Sequence, residues 1–326
     1  MVLYTVIIIS EGRFDQLAKC LESLKCHPEN CQLIVVSMGH ELSKDMLSLI
    51  KASKHDVLNL LDPFMTTAQA RNRALELAEG EWIHFLDEEA SWDKDYFQTI
   101  EPCLSDHKLE IIGGPDLPRR GVGVFGHAIA LSLSSPFCSG PTFPRYRSLG
   151  EKLTRSDEEK LTSANIWIKK FLLTDKPFPE DYNQGEMTHL LQRLKVSGHS
   201  LSYHPKLMVT SIRSAHFLTL RKKIFQKGYE RSKLIREKLA SGAIVFTLPT
   251  LFVMLHLFLL LHPALIWPLY KLYLLLTMVV SVGLSFRARK PWIFPLVFFF
   301  HYFIVWEYGW GFLYERISHK WRMWNS

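Results

Sequence analysis

Residues 81–89 read EWIHFLDEE, an apolar run that ends in three consecutive carboxylates, Asp87, Glu88 and Glu89. If this run is a buried strand, its carboxylates lie at the carboxyl end, where α/β sheets bind their ligands. On extended backbone, Asp87 and Glu89 would point the same way and Glu88 the other way. Mg²⁺ and Mn²⁺ prefer oxygen ligands, commonly one or two carboxylates plus substrate phosphates. The stretch therefore predicts a divalent-metal site beside a phosphate-bearing ligand.

Strand and helix patterns alternate through the first 86 residues. β-Branched and apolar runs predict strands, and apolar residues at helical spacing predict helices. The predicted strands are residues 3–9, 33–36, 57–61 and 82–86, and the predicted helices are residues 14–24, 42–50 and 68–78. Such alternation is typical of a doubly wound α/β sheet. The strand ends expected to meet a ligand are Ser10, Ser37 and Asp87.

The middle of the chain, residues 113–150, is rich in glycine, proline and serine. We expect long loops there, with a short helix at residues 127–133. Residues 121–126, GVGVFG, match the dinucleotide-binding pattern G-x-G-x-x-G, but they follow Pro118 and two arginines rather than a strand. No acidic residue lies about 20 residues further on, so we reject a dinucleotide loop.

The last quarter of the chain is strongly apolar. Three stretches, residues 243–261, 264–286 and 293–313, approach the roughly 20 residues that a membrane span needs. The first two qualify. Glu307 interrupts the third, which is predicted as a third span or as a re-entrant or interfacial helix.

Basic residues flank the apolar quarter. The chain has a formal charge of +7, and its densest basic run, residues 221–238, lies directly before the first apolar stretch. We interpret this run as a juxtamembrane segment that meets anionic lipid headgroups, with a solvated helix face as the alternative, rather than as a nucleic-acid site. A second basic cluster at residues 287–290 places both flanks on the cytoplasmic side.

The cysteines and the amino terminus also indicate a cytoplasmic catalytic region. The five cysteines form no Cys-x-x-Cys pair, which is typical of reduced structural thiols, and the first ten residues lack the basic start of a secretory signal. The predicted organisation is an α/β domain at residues 1–212, a basic helical segment at 213–242 and a transmembrane region of two to three helices at 243–326.

Several blocks of sequence resemble one family. Residues 6–24 (VIIISEGRFDQLAKCLESL), 69–75 (QARNRAL), 78–83 (AEGEWI) and 85–89 (FLDEE) are similar to the opening strand, the A-R-N helix and the D-x-D motif of family 2 glycosyltransferases. Residues 164–170 (ANIWIKK) and the segment from Gly185 to Gly198 resemble the acceptor half of that family. The resemblance is closest to membrane-bound glycosyltransferases of succinoglycan-type exopolysaccharide synthesis. It implies the GT-A fold, a Rossmann-like, doubly wound mixed sheet, followed here by an α-helical membrane region.

The resemblance also implies roles for individual residues. Ser10, Arg71, Asp87 and Glu88 would bind a nucleotide-sugar donor, expected to be a UDP-sugar. Asp87 and Glu89 would hold Mn²⁺ or Mg²⁺ on its diphosphate.

On the acceptor side, the resemblance implies roles for Glu186, Asn165 and Arg193. Glu186 would deprotonate the attacking hydroxyl in an inverting, in-line displacement. Arg193 would orient Glu186 or touch the substrate. The family's E-D pair is Glu186 and Met187 here, so its aspartate is missing; Glu180 and Asp181 rank second as the base.

A second departure lies after the second strand, where the family's D-D-G-S is Ser37-Met38-Gly39-His40. The carboxylate that reads uracil is therefore missing.

These features predict a metal-dependent hexosyltransferase, multi-pass in the inner membrane, with its catalytic domain in the cytoplasm. It would transfer a sugar to a lipid-linked saccharide acceptor in cell-surface polysaccharide synthesis. Two alternatives stay open. The acceptor could be a polyprenyl phosphate itself, or the chain could be a catalytically silent GT-A module that binds nucleotide or organises other membrane enzymes.

Overall fold

The computed structural model describes residues 4–24, 31–39, 41, 56–60, 65–119, 121–182, 184–212, 217–237 and 243–324. The chain forms two compact units. One comprises Met1–Arg119 and Pro144–Ile212, and the other comprises Arg120–Phe143 and Arg213–Ser326. They are called the sheet unit and the helical unit below.

The described strands and helices follow one another as the alternating sequence patterns indicate. The strands are β1 (Tyr4–Ser10), β2 (Cys31–Met38), β3 (Asp56–Leu60), β4 (Trp82–Asp87), β5 (Ala90–Trp92), β6 (Ile111–Gly113), β7 (Asp116–Pro118), β8 (Thr154–Arg155), β9 (Asn165–Lys169), β10 (Leu201–Tyr203) and β11 (Val209–Ser211). The helices are α1 (Phe14–Ser23), α2 (Thr67–Leu77), α3 (Tyr96–Leu104), α4 (Val124–Leu133), α5 (Pro136–Ser139), α6 (Glu186–Val196), α7 (Phe217–Arg236), α8 (Ala243–Leu261), α9 (Pro263–Arg287) and α10 (Phe294–Trp324).

The sheet unit is built on an eight-stranded mixed sheet in the order β3-β2-β1-β4-β9-β6-β10-β8. The first four strands of that order are parallel, whereas β9 runs antiparallel to both β4 and β6. A second sheet of three strands has the order β5-β11-β7. In the register of the main sheet, Ser10 lies opposite Ser37, and Ile9 lies opposite Asp87. The three strand ends chosen from the sequence are therefore at one edge.

Strand β1 explains why the sheet is covered on both faces. All seven of its residues are buried, as expected for a central parallel strand. Val6 and Ile8 belong to the core on one face, and Ile7 and Ile9 to the core on the other, because side chains alternate along a strand. Helices α1 and α3 supply residues to the first core, and α2 and α6 supply residues to the second.

The predicted elements agree with the structure at β1, β2, β3, β4, α1 and α2, with ends shifted by one or a few residues. The predicted helix at residues 42–50 lies outside the described residues. The short helix expected at 127–133 is α4. Residues 113–150 are more regular than predicted, because Ser135 caps α5 and Pro136 occupies its first turn, where a proline fits without losing a hydrogen bond.

The helical unit contains α4, α5 and the helices from α7 to α10. Within it, Ser132 of α4 donates a hydrogen bond to the Val297 carbonyl of α10 at 3.2 Å. Residues 120–143 therefore belong with the C-terminal helices, although residues of the sheet unit precede and follow them in the chain. The sequence patterns did not predict this division.

Two described helical segments, Ile266–Arg287 and Pro291–His319, are long and apolar enough to cross a membrane. These segments correspond to the second and third predicted stretches. The first stretch is helix α8, whose described apolar part, Ile244–Leu259, is shorter than the criterion requires, so a span there stays a prediction. The third stretch meets the criterion although Glu307 lies within it, and α10 continues through Glu307 to Trp324. However, 56% of the apolar window in Pro291–His319 is buried inside the protein, against 17% for Ile266–Arg287.

Candidate active site

Asp87, Glu88 and Glu89 lie between β4 and β5. Asp87 is the last residue of β4, and Glu88 and Glu89 form the turn that follows. The expected extended backbone through Glu89 is therefore wrong, and strand alternation does not determine where these side chains point. The Asp87 side chain is 46% exposed, whereas Glu88 is 1% exposed.

Buried Glu88 is held by the end of β1. It accepts hydrogen bonds from Ser10 Oγ at 2.6 Å, from the Glu11 backbone N–H at 3.1 Å and from Arg13 Nε at 2.7 Å. A buried carboxylate requires this number of donors, because desolvation is costly without them. Ser10 is itself fully buried. The structure thus places Ser10 and Glu88, both predicted at the donor, in contact with each other, where they connect the ends of two strands.

Arg13 is a site residue that the sequence reasoning missed. Its guanidinium pairs with Glu89, with Glu88, and with Glu11 at 2.8 Å. A guanidinium carries five N–H donors in a fixed planar fork and can therefore serve several carboxylates at once. Arg13 neutralises part of the acidic turn and holds its shape. In the sequence, only its position three residues after β1 could have indicated that Arg13 lies near the ligand-binding edge of the sheet.

Arg71 joins Asp87 to Glu186. Its Nη1 bonds Glu186 Oε1, and its Nη2 lies 3.8 Å from Asp87 Oδ1. The guanidinium is 5.7 Å from the centroid of the Phe85 ring and 5.6 Å from that of Phe178, within range of cation–π attraction. The side chain is 3% exposed, and its buried Nε has no hydrogen-bond partner. The acidic strand end and the predicted catalytic glutamate therefore belong to one site.

Helix α2 positions Arg71 through its own first turn and through its neighbour. Thr66 and Gln69 form a capping box that fixes the start of the helix. Asn72, the next residue of the A-R-N motif, donates to the Phe178 carbonyl at 2.9 Å and accepts from the Phe178 N–H at 3.1 Å. Asn72 thereby fastens the segment before α6, and Arg71 fastens the start of α6 itself.

Glu186 is the first residue of α6. It follows Gly185, whose φ of +89° lies in the left-handed region that glycine adopts without steric cost. A carboxylate in the first turn of a helix interacts favourably with the positive end of the helix dipole. The next residue, Met187, is 4% exposed and packs in the core. A carboxylate at position 187 would lie among apolar side chains.

Three other predicted residues lie apart from Glu186. Arg193 donates to the Pro177 carbonyl at 3.2 Å, so Arg71 and not Arg193 pairs with Glu186. Glu180 contacts Asn72 Nδ2 at 3.2 Å. Asn165 is fully buried, donates to the Leu207 carbonyl at 2.7 Å and accepts from the Tyr96 hydroxyl. Because both ends of its amide are used inside the fold, the structure assigns Asn165 to the framework of β9 rather than to an acceptor surface.

His84 is a satisfied core residue, as expected. Its Nδ1 donates to the Ile166 carbonyl at 3.1 Å, and its Nε2 accepts from Trp92 Nε1 at 3.2 Å. Burial lowers the pKa of His84 to about 3. The ring is therefore neutral at physiological pH and forms part of the sheet's interior.

The oxygen ligands of the acidic turn fit a hard divalent cation. Asp87 and Glu89 offer only carboxylate oxygens, the donors that Mg²⁺ and Mn²⁺ prefer. Among the residues that the structure describes, no group of three or more His, Cys, Asp or Glu side chains is arranged to hold a metal ion. A cation at the turn would therefore need further oxygen ligands from water and from a bound diphosphate.

No family model matches the sequence, and no curated protein matches it. The structure is similar to the mannosyltransferase PcManGT from Pyrobaculum calidifontis, solved in complex with GDP-Man and Mn²⁺. The TM-score is 0.57 at 13% identity, over 96% of this chain and 87% of that one. It is also similar to residues 1–349 of S. aureus TarS in complex with UDP, with a TM-score of 0.51 at 14% identity, over 97% of this chain and 92% of that one.

At these identities the likeness shows the fold. The predicted fold class is confirmed: a GT-A α/β domain followed by C-terminal helices.

Proposed function

We propose that this chain is an inverting, metal-dependent hexosyltransferase that transfers a sugar from a nucleoside diphosphate sugar to a lipid-linked saccharide. One observation carries the proposal. Arg71 connects Asp87, at the ligand-binding edge of the sheet, to Glu186 at the start of α6. A donor-binding group and a proton acceptor are thereby close together in a GT-A fold. The solved structures with this fold include one bound to GDP-Man and one bound to UDP.

The donor end of the site is Asp87 with the acidic turn. Asp87 is the exposed carboxylate, and Glu89 is the second oxygen donor, held by Arg13. A bound Mn²⁺ or Mg²⁺ would stabilise the charge that develops on the departing diphosphate. Ser10 and Glu88 support this end indirectly, because they fix the turn that carries Asp87 and Glu89.

The acceptor end is Glu186. It would accept the proton of the attacking hydroxyl while the new bond to the sugar's anomeric carbon forms and the bond to the diphosphate oxygen breaks. Attack opposite the leaving group inverts the anomeric configuration. Arg71 holds Glu186 through Oε1 and so fixes the position of the carboxylate that would act as the base. Arg71 is a positioning residue in this scheme, and the role of Arg193 is limited to the segment before α6.

A lipid-linked acceptor fits the C-terminal helices. Two of the described helices are long and apolar enough to span a bilayer, and basic residues flank them. A chain anchored in the cytoplasmic face of the inner membrane shares that surface with a lipid-linked saccharide, which raises the effective concentration of the acceptor. The family resemblance supports a place in cell-surface polysaccharide synthesis, with a UDP-sugar as donor.

A second candidate, a catalytically silent nucleotide-binding module, is favoured by two observations. Met187 replaces the aspartate of the family's E-D pair and is buried in the core. Glu186 is engaged by an arginine. Both features fit a site that keeps its architecture without transferring a proton.

A donor screen separates the candidates. Purified full chain with Mn²⁺, a panel of UDP- and GDP-sugars and lipid-linked acceptors should release nucleoside diphosphate. Glu186→Gln should lower turnover at least about a hundredfold, by analogy with the loss of a general base. Glu180→Gln is the matched control and should retain turnover within about threefold, since the Glu180 carboxylate contacts Asn72 and Lys176 and makes no contact with Arg71 or Glu186 in the part of the chain that the structure describes.

The remaining outcomes of the screen are also informative. Metal-dependent nucleotide binding without turnover for any donor would favour the silent module. A product with one sugar on a lipid monophosphate would replace the saccharide acceptor with a polyprenyl phosphate.

A further inference from the structure

The segment before α6, residues 173–182, belongs to no helix or strand. Two neighbouring residues in it, Asp175 and Lys176, have φ of +32° and +49°, in the left-handed region that side chains other than glycine rarely adopt. Such a conformation costs free energy and persists only where the surrounding structure holds it. The residues directly after this strained turn, Pro177 and Phe178, show how it is held.

Helices α2 and α6 both hold these residues. The Asn72 amide of α2 pairs with both backbone groups of Phe178: Nδ2 donates to the carbonyl at 2.9 Å, and Oδ1 accepts from the N–H at 3.1 Å. A neighbouring β-strand would supply the same pair of bonds. Arg193 of α6 donates to the Pro177 carbonyl at 3.2 Å. Because Asn72 is 4% exposed, its bonds form where little water competes for them.

Phe178 in turn supports the Arg71 side chain. The Phe178 and Phe85 rings lie 5.3 Å apart at an angle of 88°. The Arg71 guanidinium is 5.6 Å from the first ring centroid and 5.7 Å from the second, so it sits against two perpendicular rings. Phe85 lies two residues before Asp87, and Phe178 lies eight residues before Glu186. The rings therefore join the donor end of the site to the chain that leads into Glu186.

We propose that Asn72 is a positioning residue for proton transfer. By fixing the backbone of Phe178, it keeps that ring against Arg71 and sets where Glu186 lies relative to a donor held at Asp87. Without the Asn72 amide, the strained turn relaxes and the chain that leads to Glu186 moves with it. A misplacement of about 1 Å can cost about a hundredfold in rate, although no group that touches the substrate is lost. The inference rests on the proposed function, because it takes Glu186 as the proton acceptor.

Turnover and donor binding of Asn72→Ala in the full chain test the proposal. We expect kcat to fall about thirtyfold. Binding of the nucleotide-sugar with Mn²⁺, measured by calorimetry, should stay within about threefold of wild type, because Asp87 and the acidic turn are unchanged. Loss of donor affinity with kcat unchanged would overturn the proposal, since Asn72 would then support the donor end of the site and not Glu186.

Gln32 provides a matched control. Its amide pairs in the same way with the chain at the other end of α2: Nε2 donates to the Leu77 carbonyl at 3.0 Å, and Oε1 accepts from the Glu79 N–H at 2.9 Å. Gln32→Ala and Asn72→Ala should each lower the thermal midpoint by about 2–5 °C. Only Asn72→Ala should slow the transfer. If Gln32→Ala slows it equally, lost fold stability explains both results and the proposal is overturned.

A double-mutant cycle shows whether Asn72 acts through Glu186. If it does, Asn72→Ala should lower the residual turnover of Glu186→Gln by less than about threefold, because the group being positioned is already lost. Losses that multiply in the double variant would mean that the two residues act independently. That result would also overturn the proposal.

Hydrogen exchange separates this proposal from the proposed function. In Asn72→Ala, the backbone amides of residues 178–182 should exchange at least about tenfold faster than in wild type, and those of β1 should exchange as before. A wild-type chain without turnover, combined with this faster exchange, would contradict the transfer reaction and leave the support of the segment by Asn72 intact. Unchanged exchange at residues 178–182 would overturn the positioning role whatever the turnover.

Discussion

Two regions of this protein bury arginine–carboxylate pairs, and they differ in how completely those pairs are satisfied. In the helical unit, both oxygens of Glu315 are bonded, to Arg236 and Ser232, between two helices in backbone contact. In the sheet unit, Asp87 is 46% exposed and lies 3.8 Å from Arg71, whose Nε has no hydrogen-bond partner. The pairs of the helical unit, called closed below, hold helices together. The pair at Asp87, called open below, has a carboxylate that is exposed to solvent.

The largest expected effect comes from removing the arginine of the open site. Arg71→Met should lower transfer about a hundredfold, because Glu186 would lose the partner that positions it, and a misplacement of about 1 Å can cost that much. It should also lower the free energy of unfolding by about 3–5 kcal/mol, since Glu186 would be left buried without its partner. Arg73→Met, on the same helix but in an exposed pair with Glu76, should change stability by less than about 0.5 kcal/mol. Activity and urea-unfolding assays check both substitutions. Equal effects would contradict the special role given to Arg71 over Arg73.

In the helical unit, Glu315→Gln should affect stability without affecting chemistry. Losing the charge of a buried, hydrogen-bonded pair costs about 1–3 kcal/mol and should lower the thermal midpoint in detergent by about 5 °C. Turnover per folded molecule should stay within about twofold. Glu237→Gln, which alters a more exposed neighbour of Arg236, is the matched control and should shift the midpoint by less than about 1 °C. A selective loss of turnover in Glu315→Gln would give this pair a role in the site.

The pH dependence of stability tests the closed interior of the sheet. Burial lowers the pKa of His84 to about 3 from 6.5, so the unfolded chain takes up the proton first. The contribution of His84 is complete above pH 6.5 and falls by about 1.4 kcal/mol per pH unit below it. His84→Gln should flatten the slope of unfolding free energy between pH 6.5 and pH 5. Urea unfolding measured at several pH values checks this prediction, and an unchanged slope in His84→Gln would contradict it.

The smallest expected effect is at Arg13. Because Arg13 pairs with Glu89, it competes with a divalent cation for that carboxylate. Arg13→Gln should lower the Mn²⁺ concentration that half-saturates nucleotide binding by about three- to tenfold, or about 1 kcal/mol. Arg13→Lys should lie closer to wild type because it keeps the charge. A rise in the required Mn²⁺ concentration would show that Arg13 shapes the turn for metal rather than competing with it.

The regular parts of the sheet unit could be predicted from sequence because they depend on local pattern. The apolar runs of β1 and β4 indicate central strands, and the A-R-N block places Arg71 on a helix beside them. Arg13 could not be predicted, because its partners depend on the turn after Asp87, which strand alternation does not describe. The place of Asn165 depends on Tyr96 and Leu207, which are distant in sequence.

The helical unit was harder to predict for a related reason. From composition alone, Glu307 was predicted to interrupt a membrane span. In the structure its carboxylate pairs with Arg221 of α7. The association of α4 with α10 comes from a hydrogen bond and ring contacts between segments more than 150 residues apart, which no local pattern reveals. Hydropathy identified apolar helices but not which of their faces are covered.

Binding and turnover measured on the same two variants test the central claim, that Asp87 and Glu186 are the donor and proton-transfer ends of one site. Asp87→Asn should weaken Mn²⁺-dependent binding of the donor nucleotide-sugar at least about tenfold in calorimetry, or about 1.4 kcal/mol. Glu186→Gln should leave that binding within about threefold of wild type and still lower turnover about a hundredfold. If Glu186→Gln binds donor and turns over like wild type, or if Asp87→Asn leaves Mn²⁺-dependent binding intact, the account is contradicted.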